Sequence, residues 1–290
     1  MNPKQIIHGN HRIGNDFDGY MYNFNISDGY NFNSHLHSCY EFIHIIKGQL
    51  LYTVEGQEYM LSDGDIILTK PEELHSFSFP RQCEYMREFL HIYPGFLKDF
   101  PAVTQILDSR KSGCFNHIPA EKAKKYNLDI IFDSVREYCE KPLPETDLMV
   151  LTLSIQLILK INRLLTDDAP KYTNVISDKK TNSIYDYIDN HYLEDISAAS
   201  VAEAMYMSHA YASRLFKQKT GMTIKAYINM RRINNAKNLI MEGQKATSIF
   251  MQCGFKDYST FYRAFTKYVG TTPDAFKHRH DNQNNKFKES

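Results

Sequence analysis

Residues 208–223 read SHAYASRLFKQKTGMT, and residues 256–272 read KDYSTFYRAFTKYVGTT. The two stretches share one pattern. Arg214, Phe216 and Gly221 recur as Arg263, Phe265 and Gly270, each shifted by 49 residues. A polar residue suited to starting a helix stands six positions before each Arg: Ser208 and Asp257. Each stretch therefore predicts one amphipathic helix that opens on an N-cap and closes at Gly. Shorter helical patterns precede them, at Ala198–Met205 and Thr247–Cys253. Helix, tight turn and a second, polar-faced helix outline a helix-turn-helix unit. Two such units in so short a span point to DNA.

Charge supports that reading. The 290 residues carry a formal net charge of +0, yet it is unevenly spread. Residues 1–177 hold 17 Lys+Arg against 23 Asp+Glu, a net −6, and residues 178–290 hold 17 against 11, a net +6. A basic face supplies the sequence-independent part of nucleic-acid affinity through counterion release. Alone, such a charge describes no more than a well-solvated surface; the duplicated helix gives it meaning. The five cysteines (Cys39, Cys83, Cys114, Cys139, Cys253) follow no disulfide or zinc-finger spacing, which suits a reducing compartment. The opening residues lack the apolar core of a signal peptide, and the apolar stretch Leu148–Leu165 is interrupted by Ser154, Gln156, Lys160, Asn162 and Arg163. The expectation is a cytoplasmic protein without a membrane partner.

From residue 17 to about residue 93 the pattern is β. Alternating runs at Tyr20–Phe24, Glu41–Ile46, Gln49–Val54, Glu58–Leu61, Asp65–Leu68, His75–Phe79 and Met86–Ile92 are separated by turn signals such as Ser62-Asp63-Gly64 and Lys70-Pro71. Many short strands predict a small antiparallel barrel or jelly roll. Beyond Pro119 the period becomes helical, at Ala120–Glu140 and Glu145–Leu165. The second of these helices carries two apolar stripes: Leu148, Leu151, Ile155, Ile158 and Leu165, then Val150, Leu153, Leu157, Ile161 and Leu164. One stripe suffices for a surface helix, so two imply either burial within its own domain or a second subunit. Residues 166–178 read as a polar linker, and residues 281–290 as a disordered tail.

The segment Ile196–Phe276 resembles the DNA-binding domain of the AraC/XylS family of bacterial transcription regulators. The resemblance rests on SRLFKQKTG, RRINNAKNLI and CGFKDYSTFYRAFTKYVGTTP. It implies two helix-turn-helix units joined by a long helix, here Ile224–Met241, with both recognition helices in the major groove. On the first of these, Leu215 and Phe216 read as core, and His209, Ala210, Ser213, Arg214 and Lys217 fall on the other side. On the second, Phe261 and Phe265 read as core, while Tyr258, Ser259, Tyr262, Arg263 and Thr266 face away. Arg can read guanine bidentately, and Ser or Tyr bonds bases or phosphates. Lys217, Lys267, Arg231 and Lys256 are phosphate candidates. The family pattern is altered at Phe250, Ala246 and Cys253, which suggests volume-compensated repacking. Tyr206 stands at a turn position that is commonly Gly.

In the β region, Gly29, His35, His37, Glu41 and Gly48 match the spacing G-x5-H-x-H-x3-E-x6-G of the cupin family, which the segment resembles. Positions 35, 37 and 41 share parity, so on a single strand they share a face. His75 is a candidate fourth member. Such a set suits Fe, Mn or Zn, suits hydrogen bonding to a small ligand, and also suits core histidines. The second half of the cupin signature departs, with Glu73 where Gly is expected. The expectation is thus a small-molecule pocket of His35, His37, Glu41 and His75, walled by Tyr22 and Phe24, with no required metal and no cofactor. An aromatic, polar barrel suits a sugar or another polar metabolite.

Together these readings predict a multidomain α+β chain. Residues 1–165 form a cupin-like β-barrel or jelly roll with a helical dimerisation segment, and residues 179–280 an all-α double helix-turn-helix domain. The expected function is a non-enzymatic, homodimeric transcription regulator, an activator, whose partners are promoter DNA, a small-molecule effector and RNA polymerase. The alternative is a metal-dependent cupin enzyme with a DNA-binding appendage.

Overall fold

In a computed structural model the chain forms two compact units, Met1–Asp178 and Lys179–Ser290. The structure describes residues 6–14, 19–27, 32–81, 83–168, 176–177 and 179–286.

The first unit is two antiparallel sheets with a helical layer. Its strands are β1 (Ile6–Gly14), β2 (Gly19–Ser27), β3 (Phe32–His35), β4 (Tyr40–Lys47), β5 (Leu50–Val54), β6 (Gln57–Leu61), β7 (Ile66–Thr69), β8 (His75–Ser78), β9 (Tyr85–Ile92), β10 (His117–Ile118) and β11 (Ile176–Ser177). One sheet runs β1-β2-β9-β4-β7-β10 and the other β11-β6-β5-β8-β3. The end of the stretch expected as linker thus adds β11 to the edge of β6. Four helices follow: α1 (Pro101–Ser109), α2 (Ala120–Lys125), α3 (Leu128–Glu140) and α4 (Thr146–Asp168).

Strand β4 lies inside the first sheet and is buried on both faces over its first six residues. Alternation sorts its side chains. Ile43 and Ile45 face inward with Phe89, Tyr52, Val54 and Phe77. Tyr40 and Phe42 face outward with Tyr20, Tyr22, Leu90 and Ile92, against α1, α3 and α4. The unit therefore has two cores, one between the sheets and one beneath the helices.

Two expectations are corrected here, and burial of both α4 stripes within one domain is not seen. The helix foreseen over Ala120–Glu140 is broken at Asn127, whose φ of 53° is left-handed, a conformation Asn tolerates better than most residues. In α4 the Val150–Leu164 stripe is buried, whereas the other stripe is largely not: Leu148 is 62% exposed, Leu151 and Ile155 are half-buried, and only Ile158 is enclosed. By length and composition α4 could cross a membrane, yet half of its apolar window is buried in this fold. At the far end, the supposed tail continues α11 (Pro273–Lys286), because Thr272 caps that helix, Phe276 anchors it, and no Gly or Pro stops it before Lys286.

The second unit contains α5 (Lys179–His191), α6 (Ala198–Ala204), α7 (His209–Thr220), α8 (Ile224–Met241), α9 (Ala246–Ile249), α10 (Tyr258–Val269) and α11. The repeated stretches are α7 and α10. Ser208 accepts the Tyr211 backbone N–H, and Asp257 accepts that of Thr260. Gly221 and Gly270 end the helices at φ of 72° and 75°, which glycine reaches without a Cβ clash. Ala212 and Phe216 of α7, and Phe261 and Phe265 of α10, are buried. Leu215 is only half-buried. Helix α8 forms the axis, with Tyr227, Ile233, Ala236 and Ile240 enclosed. At the positions where repacking was expected, Ala246 and Cys253 are buried, and Phe250 is half-buried and meets Tyr258 edge-on at 5.9 Å.

Candidate functional site

The outer faces of α7 and α10 are built alike. His209, Ala210, Arg214 and Lys217 are exposed, and Ser213 is half-buried with its hydroxyl 3.4 Å from His209 Nε2. On α10, Ser259, Tyr262, Arg263 and Lys267 are exposed and Tyr258 is half-buried. All ten foreseen positions thus lie away from the core. Hydrogen bonds from the Thr260 backbone and hydroxyl, with the nearby Arg263, hold the Asp257 carboxyl below its usual range, so the cap stays ionised. Of the phosphate candidates, Lys217 and Lys267 stand on these faces, but Arg231 pairs with Asp189 at 3.0 Å and Lys256 with Asp195 at 2.7 Å. Tyr206 adopts a φ of 53° in the turn before α7, the backbone expected of a glycine position, and is fully exposed.

In the first unit, His35, His37, Glu41 and His75 do come together, but not by the route the parity argument gives. His35 ends β3 in one sheet, Glu41 lies on β4 in the other, and His37 sits on the connection between them. Convergence comes from the chain crossing between sheets. His35 pairs across β3–β8 with His75, and their rings are 4.3 Å apart. His37 Nε2 is 3.7 Å from Glu41 Oε1.

A fifth member went unforeseen. His91 on β9 stands opposite Glu41 on β4, and its Nε2 is 2.7 Å from Glu41 Oε1. The Tyr52 hydroxyl donates to Glu41 Oε2 at 3.2 Å. His75 Nδ1 donates to the Glu73 carbonyl at 2.8 Å, leaving Nε2 directed at Glu41 Oε2, 3.2 Å away, without a hydrogen bond. Burial pushes the His37 imidazole down to about 3 against the pull of Glu41, so it is neutral near pH 7. Burial opposes ionisation of Glu41 too, but its contacts with His75 and His91 and the field of His37 hold it well below the usual carboxylate range.

Tyr22 and Phe24 do not wall this cluster. Register pairs Tyr22 with Leu90 and Phe24 with Glu88, both on the helix-facing side of the sheet. There the Tyr22 hydroxyl donates to Glu88 at 2.8 Å, and Phe24 lies under Arg136. Met21 and Phe79 border the inner core instead. Arg87 is a second inner group missed from sequence, its guanidinium stacked among Phe77, Phe89 and Tyr85. Glu73, which replaces the cupin Gly, has a structural task. Its buried carboxylate takes hydrogen bonds from Arg110, Asn116 and the Gly113 and Lys70 backbones. The positive φ required by the turn falls on Glu72, at 72°.

Comparison with known proteins accords with both halves. The family described as "AraC-like ligand binding domain" matches residues 7–119, and that described as "Helix-turn-helix domain" matches residues 201–279. The chain belongs to the AraC family of transcription regulators. A curated relative, the HTH-type transcriptional activator RhaS of Escherichia fergusonii, is 22% identical over 258 residues, covering 86% of this chain and 89% of RhaS. Apo ToxT of Vibrio cholerae aligns with 89% of this chain and 97% of its own at 15% identity and a TM-score of 0.39. A Listeria innocua structure of unknown function is 28% identical over 33% of this chain and 93% of its own, with a TM-score of 0.32. As in its family, this AraC-type regulator joins a ligand-binding first domain to a double helix-turn-helix DNA-binding domain.

Proposed function

We propose that this regulator is a homodimeric transcription activator acting at promoter DNA with RNA polymerase in the cytoplasm, and that a small molecule bound beside His37 and Glu41 sets its activity. The observation that carries the reading is the pair of matching exposed faces, with Arg214 and Arg263 at equivalent places on α7 and α10. Activation is carried over from the RhaS relatives, which are named as activators. Arg214, Ser213, His209 and Ala210 read one half-site and Arg263, Tyr262, Ser259 and Tyr258 the other, while Lys217 and Lys267 hold phosphates. The effector works by binding two states of the protein with different affinity. Its pocket consists of His35, His37, Glu41, His75 and His91 together with Tyr52.

Dimerisation through α4 is supported by its uncovered stripe of Leu148, Leu151, Ile155 and Leu159. Sedimentation of the full chain at micromolar concentration is expected to give a dimer, and residues 171–290 alone a monomer that still binds DNA. A monomeric full chain would remove the dimer from this reading. The enzyme alternative draws on the same His/Glu cluster; turnover of a substrate, lost in Glu41→Gln, would favour it.

A further inference from the structure

We infer that the two reading helices recognise chemically different half-sites, and that Tyr262 of α10, with Tyr258 beside it and Phe250 as a prop, reads a thymine methyl group. The inference deepens the reading of α10 as a base-reading helix and rests on it.

The 49-residue offset lets the two units be compared position by position. His209 and Ser213 of α7 correspond to Tyr258 and Tyr262 of α10. Both pairs lie one helical turn apart and share a face. The first pair is polar, with the Ser213 hydroxyl 3.4 Å from His209 Nε2. The second is aromatic, with ring centroids 6.1 Å apart. A third difference falls at the same place. Phe250 corresponds to Val201, which is fully buried in α6. Phe250 instead stands half-buried just beyond α9 and meets the Tyr258 ring at 5.9 Å and 75°. Phe261 packs on Tyr258 from the core side at 5.7 Å. Tyr258 is thus held among three rings, and Tyr262 remains 37% exposed at the outer edge of the group.

What such a surface can read follows from the groove. In the major groove, guanine, cytosine and adenine present hydrogen-bond donors and acceptors, and thymine adds an apolar C5 methyl. Tyr258 and Tyr262 lie in the first half of α10, the part of a recognition helix that reaches base edges. An aromatic ring braced by its neighbours has little freedom left to lose when it packs on a methyl. On α7 the same positions offer an imidazole and a hydroxyl, which suit hydrogen bonding to a base or a phosphate. Arg214 and Arg263 are common to the two helices. The half-sites therefore share an arginine contact and differ at these pairs, hydrogen-bonded on α7 and apolar on α10.

The test uses the full chain and a duplex that it enriches from a random pool. Arg214→Ala and Arg263→Ala assign the two half-sites by the base preference that each relaxes. Each thymine is then replaced singly by deoxyuridine, which removes only the methyl. At one position of the α10 half-site this is expected to weaken binding about fourfold, the factor given by burial of one methyl at about 0.8 kcal/mol. Tyr262→Ser is expected to bind the two duplexes alike, and Tyr262→Phe, which loses only the hydroxyl, to keep the preference. Phe250→Val is expected to reduce the preference while leaving affinity for unrelated DNA unchanged, as a positioning role requires. Equal binding of thymine and deoxyuridine duplexes throughout the α10 half-site overturns the inference, even where Arg263→Ala still relaxes that half-site. A preference that survives Tyr262→Ser, or that Tyr262→Phe abolishes, overturns it as well, because the methyl then lies on another side chain or the contact belongs to the hydroxyl. A preference unchanged in Phe250→Val removes the prop. A chain that enriches no sequence at all removes the reading helices themselves, and this inference with them.

Discussion

Strands β4 and β9 carry the same residue pair twice, in opposite order. Glu41 stands opposite His91, and three rungs further along His44 stands opposite Glu88. Three is odd, so the pairs fall on opposite faces of the sheet. The outward pair is closed. Glu88 is fully buried and accepts from Arg136 Nε at 2.9 Å, Arg136 Nη2 at 2.7 Å and Tyr22 at 2.8 Å, with His44 Nδ1 at 2.9 Å. The inward pair is open. Glu41 has His91 and Tyr52, lies 3.2 Å from His75 Nε2, and receives no guanidinium. A cation delivered by α3 makes the first pair part of the scaffold. Its absence leaves the second pair without a guanidinium partner.

Removing that cation is the strongest way to break the contrast. Arg136→Ala leaves a buried carboxylate without its charge partner, and the expected loss of stability is about 3 kcal/mol, the low end for a broken buried pair because Arg136 is partly exposed. Glu41→Gln should cost less, about 1–2 kcal/mol, since the amide oxygen can still accept from one of the two groups, His91 or Tyr52, that bond the carboxylate. Urea unfolding followed by circular dichroism measures both; equal losses would erase the distinction. Acid sharpens it. Burial opposes ionisation of Glu88, but His44 and Arg136 outweigh it and depress its pKa. A depressed folded-state value stabilises the fold above the ordinary carboxylate pKa, and that contribution is lost as pH falls through the lowered value. Melting temperature should therefore fall below about pH 4.5, less steeply in Glu88→Gln. A parallel fall in both proteins would show that Glu88 is not the group responsible.

The contrast also marks what the sequence could reveal. Caps and stops are local, so Ser208, Asp257, Gly221 and Gly270 announced α7 and α10 directly, and the strands were readable from alternation and turns. Facing was harder. Alternation shows that Tyr22 and Met21 point oppositely but not which one points inward; that depends on pairing with β9. His91 lies 50 residues from Glu41, and only strand register brings them together. The convergence of His35, His37 and Glu41 was foreseen for the wrong reason, because a crossing between sheets replaced the single strand. Asn127 broke a helix that periodicity alone would continue.

Closed and open groups recur in the second unit. Arg232 is buried, donating to the carbonyls of Tyr192 and Glu194 at 2.7 Å each, whereas Arg214 and Arg263 are exposed. Arg232→Ala should cost about 2–3 kcal/mol of stability by removing two charge-assisted hydrogen bonds to part-buried carbonyls. Arg214→Ala and Arg263→Ala should each change stability by less than about 0.5 kcal/mol. Each should nonetheless weaken specific DNA binding by about 1–3 kcal/mol and relax preference at one half-site. A footprint unchanged in both variants would dismiss α7 and α10 as reading helices.

The smallest effect separates two kinds of open group on a single helix. Lys217 stands one turn beyond Ser213 on α7, exposed and near the helix end. An ammonium there is a point charge without the planar fork that reads a base edge. Its expected partner on DNA is a phosphate, which carries no sequence information. Lys217→Ala should therefore weaken operator and unrelated DNA by the same factor and reduce the slope of log K against log salt by about 1. Arg214→Ala should instead lower operator affinity selectively. Binding isotherms on both DNAs between about 50 and 200 mM salt distinguish the two. A Lys217→Ala protein that lost operator affinity alone, at an unchanged salt slope, would move this lysine from the backbone to a base.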